Sequence, residues 1–239
     1  MDRKNRRLTG YFTFPLLMLW FVLSTTVYAS ICIVLGIFSK RTAHVVARLW
    51  NVHLLFFCGV RLAVRGEGKL KPNGRYVFFA NHQSALDIPV IYTGIRRPIC
   101  FIAKKELFRI PIFGWGLSMV GHVKIDRSSP RKARLSLARG IAHLRKHRLS
   151  LVLFPEGTRS ADGRLGEFKQ GAFSLAIEAG VPVVPVAIIG SRERLVKKSL
   201  MVNPGTIHLD IGNPIDPKGM DKSELAIKVR SEIDRMLSV

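Results

Sequence analysis

His82 and Asp87 are the side chains in this sequence best placed to move a proton. They stand in the stretch Y-V-F-F-A-N-H-Q-S-A-L-D, Tyr76 to Asp87. The apolar run Tyr76–Ala80 reads as a buried strand that stops at Asn81-His82, and a new apolar-periodic segment begins after Ser84. A histidine thus sits where a strand gives way to a helix, which is where open α/β sheets bind ligands. Asp87 falls about one turn into that helix. A neutral imidazole is the usual general base near pH 7, and a carboxylate on its other ring nitrogen fixes the tautomer. Ser84-x-x-Asp87 also fits a capping box, with Ser84 as N-cap and Asp87 reaching back to backbone donors. Capping explains those two residues but not Asn81-His82.

Three further blocks carry chemistry. Phe154-Pro155-Glu156-Gly157-Thr158-Arg159-Ser160 follows the strand candidate Leu149–Phe154. The planar fork of Arg159 suits an oxyanion, Thr158 adds a hydroxyl donor, and Gly157 permits a close backbone approach. Glu156 would repel a phosphate, so it either orients Arg159 or binds a hydroxyl. Lys124-Ile125-Asp126-Arg127 closes another strand, with Lys124 and Asp126 on one side and Val123 and Ile125 on the other. Val181-Pro182-Val183-Val184-Pro185-Val186 carries two prolines, which predicts an edge strand or one with an irregular start. Lys104, Lys105 and Lys169 are further cationic candidates. No G-x-S-x-G elbow appears, which agrees with chemistry without a serine nucleophile. Asp/Glu pairs for metal binding and H-E-x-x-H are absent and the three cysteines are widely spaced, so no metal is expected.

In this order the four blocks resemble the glycerolipid acyltransferase family, and within it the bacterial 1-acylglycerol-3-phosphate acyltransferases. The resemblance runs from about Gly66 to Gly212. It implies that His82 is the base and Asp87 its orienter, with direct acyl transfer and no acyl-enzyme. It implies that Lys124, Arg127, Glu156, Gly157, Thr158 and Arg159 bind the acceptor, and that the proline block binds the acyl donor or shapes the pocket, where the sequence alone equally allows pure core packing. The substrate implied is lysophosphatidic acid, acylated at its sn-2 hydroxyl to phosphatidic acid. The donor would be an acyl carrier protein (acyl-ACP) or coenzyme A (acyl-CoA) thioester, a co-substrate rather than a bound cofactor. Acylation of another lysolipid, such as lyso-ornithine lipid, and a non-catalytic lipid-binding protein are the rival readings.

These residues need elements to hold them. Strand candidates Tyr76–Ala80, Ile99–Ala103, His122–Ile125, Leu149–Phe154, Val183–Ile189 and Ile207–Ile211 alternate with helix candidates Ala85–Gly94, Pro130–Lys146, Gln170–Ala179 and Lys222–Leu237. That alternation predicts an α/β fold, a mixed sheet flanked by helices, over residues 66–239. Residues 1–65 read as a two-helix membrane anchor. Tyr11 to Phe38 carries no charge, and a bilayer core needs about 20 apolar residues in a helix. Pro15 sits near the start of that segment, where a helix tolerates proline. Val27-Tyr28-Ala29 mimics a signal-peptide cleavage site, but apolar residues continue through Phe38, which favours an uncleaved anchor. Lys40 to Val64 reads as a second helix. It has Arg41, His44, Arg48 and Asn51 on one side and Val45, Leu49, Val52 and Phe56 on another. It lies in the membrane interface, packs beside the first helix, or is a core helix of the soluble domain. The active site is expected on the cytosolic side of the cytoplasmic membrane.

A net charge of +22, from 38 Lys+Arg against 16 Asp+Glu, calls for an anionic partner. Membrane lipids, the carrier protein and coenzyme A qualify, and the basic segment Arg131 to Arg148 is a candidate surface for them. No nucleic-acid-binding motif is present.

Overall fold

The structure is a computed structural model, and it describes residues 3–126, 128–147, 149–160, 162–196 and 201–238. Arg127, an expected acceptor ligand, and Arg148 lie outside the described residues. In chain order the elements are α1 (Arg3–Phe38), α2 (Lys40–Phe57), β1 (Val60–Arg65), β2 (Val77–Ala80), α3 (Asp87–Gly94), β3 (Ile99–Lys104), α4 (Phe113–Val120), β4 (Val123–Ile125), α5 (Pro130–His147), β5 (Ser150–Leu153), α6 (Gln170–Ala179), β6 (Val183–Ile189), α7 (Ser191–Arg194), β7 (Gly205–Ile211) and α8 (Lys222–Leu237).

The strands form one seven-stranded sheet in the order β1-β7-β6-β2-β5-β3-β4. The five from β6 to β4 run parallel. Strand β7 is antiparallel to β6 and parallel to β1, so the sheet is mixed, as expected. Strands β2 and β5 are buried at every position, as parallel strands covered on both faces must be. On one face Val90, Ile91, Phe101 and Val184 pack with Ala43, Val46 and Leu55 of α2. On the other, Phe79, Phe173, Leu225, Val229 and Ile233 form a second cluster under α6 and α8.

Three expectations need correction. The second helix ends at Phe57, and Val60–Arg65 is a strand rather than helix up to Val64. Its parallel partner, β7, is distant in sequence, so nothing local announced the pairing. The proline block is not an edge strand. Strand β6 lies between β7 and β2, and β7 ends opposite Pro185, whose carbonyl accepts the Gly212 N–H. The donor that proline lacks therefore falls where the ladder stops. Finally, α1 begins at Arg3, so Pro15 is internal rather than near the helix start.

Helices α1 and α2 form a hairpin. Ser39 caps α2 by accepting the Thr42 N–H. Trp20 packs on Phe57, Phe21 on Trp50, and the Tyr28 hydroxyl bonds His53 Nδ1. Helix α4 was not foreseen, because F-G-W-G-L-S-M-V carries two glycines, each costing about 1 kcal/mol in a helix. Packing selects it: a Cβ on Gly36 of α1 would stand 2.8 Å from Met119, and one on Gly116 would stand 3.1 Å from Ala29.

The outward side of this layer is apolar. Val45, Leu49, Val52 and Phe56 of α2 are exposed, while His44 and Asn51 are buried. Leu107, Ile110 and Trp115 continue the exposed surface around α4. Pro15–Phe38 is long and apolar enough to cross a membrane, with mean hydropathy 2.2.

Candidate active site

The loops that follow β2, β5, β6, β3 and β4 all leave the same end of the parallel strands, and His82 stands among them. It lies two residues beyond the end of β2. Asn81 carries the sheet one step further: its side-chain amide donates to the Ile188 carbonyl at 2.9 Å and accepts the Ile188 N–H at 2.7 Å. That bond fixes the residue immediately before the histidine.

Asp87 opens α3 and is fully buried. Its Oδ2 accepts from three donors, namely His82 Nδ1 at 2.7 Å, the Gln83 N–H at 2.7 Å and the Ser84 N–H at 2.8 Å. Asp87 thus reaches back to two backbone donors with the same oxygen that meets His82 Nδ1, but Ser84 is not the N-cap expected of it: α3 starts at Asp87, with Leu86 in the cap position. Ser84 is itself buried, donating to the Leu195 carbonyl and accepting the Leu86 N–H. The bond to Asp87 puts a proton on Nδ1 of His82 and leaves Nε2 as the ring's free lone pair. Nε2 has no hydrogen-bond partner among the described residues, and the side chain keeps 17% exposure.

The segment Phe154–Ser160 wraps His82 from the other side. The His82 N–H donates to Glu156 Oε1 at 2.8 Å, and the His82 carbonyl accepts the Ser160 N–H at 2.8 Å. The Phe154 ring stacks on the imidazole, centroids 4.0 Å apart and planes 17° apart. The second oxygen of Glu156 accepts the Gly166 N–H at 3.0 Å. Burial pushes the Glu156 carboxyl above its ordinary value, against the pull of those two N–H bonds and of the nearby His82. Gln83 ties in the same loop by donating to the Gly163 carbonyl at 2.7 Å.

The structure thus brings together His82, Asp87, Glu156, Gly157, Thr158 and Arg159. Gly157 has φ of 75°, in the left-handed region, and a Cβ there would stand 2.9 Å from Lys169 Nζ. A lysine ammonium therefore lies beside the turn, with exposed Thr158 and half-buried Arg159 following. Both Glu156 oxygens are engaged by backbone donors.

Lys124 is not brought to this cluster. It is exposed on the outermost strand, three strand spacings or about 14 Å from β2. At that outer end Lys105 pairs with Asp126 at 2.9 Å. The Ser128 N–H and the Lys105 ammonium hold the Asp126 carboxyl well below the usual carboxylate range.

Sequence reasoning missed what Asn81, Phe154 and Gly166 do. Asn81 and Phe154 lay inside the motif blocks, but only the folded chain sets them against Ile188 and His82.

The family described as Acyltransferase matches residues 61–189. A 1-acyl-sn-glycerol-3-phosphate acyltransferase of Salmonella typhimurium is 30% identical over 232 residues, covering 93% of this chain and 94% of that protein. The chloroplastic 1-acyl-sn-glycerol-3-phosphate acyltransferase LPAT1 of Arabidopsis thaliana is 35% identical over 198 residues, 82% of this chain. The match takes in about half the length of that plant relative, 54%. The crystal structure of the 1-acyl-sn-glycerophosphate (LPA) acyltransferase PlsC from Thermotoga maritima superposes with a TM-score of 0.80 at 29% identity. That match covers 98% of this chain and 95% of the other.

Proposed function

The chain belongs to the acyltransferase family, and from that premise we propose that it acylates the free hydroxyl of lysophosphatidic acid to give phosphatidic acid. The donor is an acyl thioester of carrier protein or coenzyme A. The observation that carries the reading is the His82–Asp87 pair, with Nδ1 held at 2.7 Å and Nε2 left as the ring's lone pair.

Nε2 takes the proton of the acceptor hydroxyl as its oxygen attacks the thioester carbonyl carbon. Asp87 balances the imidazolium that forms and holds the ring in place. Collapse of the tetrahedral intermediate breaks the C–S bond, and the imidazolium returns its proton to the departing sulfur. No covalent acyl-enzyme is needed, since the hydroxyl attacks directly.

Arg159, Thr158 and Lys169 cluster around the Gly157 turn and supply two cations and a hydroxyl for the acceptor's phosphate. Glu156 holds the His82 backbone instead of contacting the acceptor. Lys124 serves, if the acceptor or donor reaches it, as an outlying positive charge. Holding two substrates against one base is the largest lever for such a reaction. The acyl chain of the acceptor is insoluble in water, which fits the exposed apolar side of α1, α2 and α4 resting in the cytosolic leaflet.

The test is acyl transfer by the full chain in detergent, with lysophosphatidic acid competing against other lysolipids and both donors supplied. Phosphatidic acid formed by the wild type, and nearly lost in His82→Ala, is the expected result. Transfer to another lysolipid overturns the acceptor and keeps the mechanism. Equal activity in His82→Ala removes His82 as the base.

A further inference from the structure

We infer that Phe154 is a positioning residue for His82, whose ring face steadies the charge that the imidazole gains when it accepts a proton. The inference rests on His82 being the base proposed above. The rings lie nearly parallel, with centroids 4.0 Å apart. An aromatic face carries partial negative charge and attracts a cation held over it, more strongly where water is thin. The His82 side chain is only 17% exposed, so little water competes at that face.

The platform is itself held. Phe101 stacks behind Phe154 with centroids 6.2 Å apart, and Tyr92 stacks on Phe101 at 5.6 Å. The Phe101 N–H donates to His122 Nδ1 at 3.1 Å, and the Tyr92 hydroxyl is 3.1 Å from His122 Nε2. Phe154 therefore presents a fixed face instead of a mobile ring. The imidazole is confined on three sides: Asp87 at Nδ1, the loop bonds at its backbone, and Phe154 against one face. Nε2, without a hydrogen-bond partner among the described residues, is left for the substrate.

Among the described residues, the charged groups bonded to His82 are Asp87 from α3 and Glu156 from the loop after β5, and the Lys169 ammonium lies beside the neighbouring Gly157 turn. Asp87 favours the imidazolium by its charge and its hydrogen bond to Nδ1, and Glu156 by its charge. The contribution of Phe154 differs in kind, because it depends on the electron density of a neutral ring.

The difference sets the experiment. Phe154 is replaced in the full chain by 4-fluoro-, 3,5-difluoro- and pentafluorophenylalanine, which thin the face charge with little change of shape. Two readouts are taken: the acyl-transfer rate against pH, and titration of the His82 ring protons by NMR, assigned by their loss in His82→Asn. The expected result is a graded fall across the series, three- to tenfold in plateau rate. The titration and the acidic limb should both move to lower pH by about half a unit. The sign follows from the chemistry, since a less stabilised imidazolium gives up its proton at lower pH.

A titration that moves with fluorination supports the inference even if the rate stays flat, in which case His82 is not the base and the function proposed above fails instead. A titration unchanged across the series overturns it. Phe154→Leu and Phe154→Tyr complete the test: tyrosine keeps a face and is expected within about threefold of wild type, whereas leucine falls with the pentafluoro variant. Equal losses in leucine and tyrosine, with unmoved titrations, overturn the inference as well.

Discussion

Helix α8 buries Leu225, Val229, Ile233 and Met236 and turns its charged residues to solvent. Helix α2 buries His44 and Asn51 and turns Val45, Leu49, Val52 and Phe56 outward. The two helices cover opposite faces of one sheet, so the difference is not about the core they share. It concerns what lies beyond each. Charged side chains on α8 suit water, whereas the outward side of α2 suits hydrocarbon. His82 is gripped from both layers, by Asp87 at the head of α3 on the α2 side and by Glu156 on the loop leading to α6. The two carboxylates differ in turn: one meets the ring nitrogen, the other only the backbone.

The largest effect is expected where the ring itself is held. Asp87→Asn should lower the turnover rate by about 10³–10⁴-fold, because the amide cannot accept all three hydrogen bonds or balance an imidazolium. Steady-state kinetics at saturating acceptor checks this, and a loss under tenfold would place the orienting role elsewhere.

Next comes a matched pair of changes on the two helices. Val229→Asp, at a fully buried position, should destabilise the fold by about 3–5 kcal/mol in detergent. Val45→Asp, at a position 55% exposed, should leave unfolding within about 0.5 kcal/mol. It should instead weaken binding to lipid vesicles by about ten- to a hundredfold. If Val45→Asp unfolds the protein as Val229→Asp does, the contrast between the layers is wrong.

Glu156→Gln should cost about ten- to a hundredfold in rate, since one backbone N–H then faces an amide NH₂. It should also change the acid behaviour of the fold. Burial raises the Glu156 carboxyl, so the folded chain binds that proton more tightly than the unfolded chain. The resulting stabilisation is full below the unfolded-state value and is lost as pH rises through the folded one. The glutamine variant should lack this component when melting is followed from about pH 4 to 7.

The smallest change is expected at the rim. Lys124→Ala should alter KM by no more than about threefold, and only at low salt, because an exposed charge this far from the ring is screened. A loss of tenfold or more would bring the outer strand into the site.

How much of this was legible beforehand follows the range of the interactions. The strand before His82, the helix after Ser84, and α8 were readable because neighbouring residues set them. The junction at Phe57 was not, since β1 exists only through β7. Helix α4 escaped because its glycines argue against a helix until α1 packs on it. In the site, His82 and Asp87 announced themselves by type and spacing. The hold of Glu156 on the His82 backbone did not, because it depends on β2 and β5 being neighbours in the sheet. The stripe on α2 was visible, but which side faced inward was not: amphipathic spacing gives a direction only once the surrounding medium is known.

The pairing of β1 with β7 bears on how the protein is made. A ribosome delivers α1, α2 and β1 first, and Val60 must wait for Gly205 before it has a partner. During that interval the outer edge of an unfinished sheet hangs beside a hairpin whose first helix is long and apolar enough to cross a bilayer. Long-range pairing of this kind is slow to form and exposed to misassembly. The arginines Arg61 and Arg65 on that waiting segment are the sort of charge that discourages two nascent chains from pairing with each other. On the membrane-bound reading proposed above, attachment can thus precede completion of the sheet, so the nascent chain reaches its working surface before it is competent to act there.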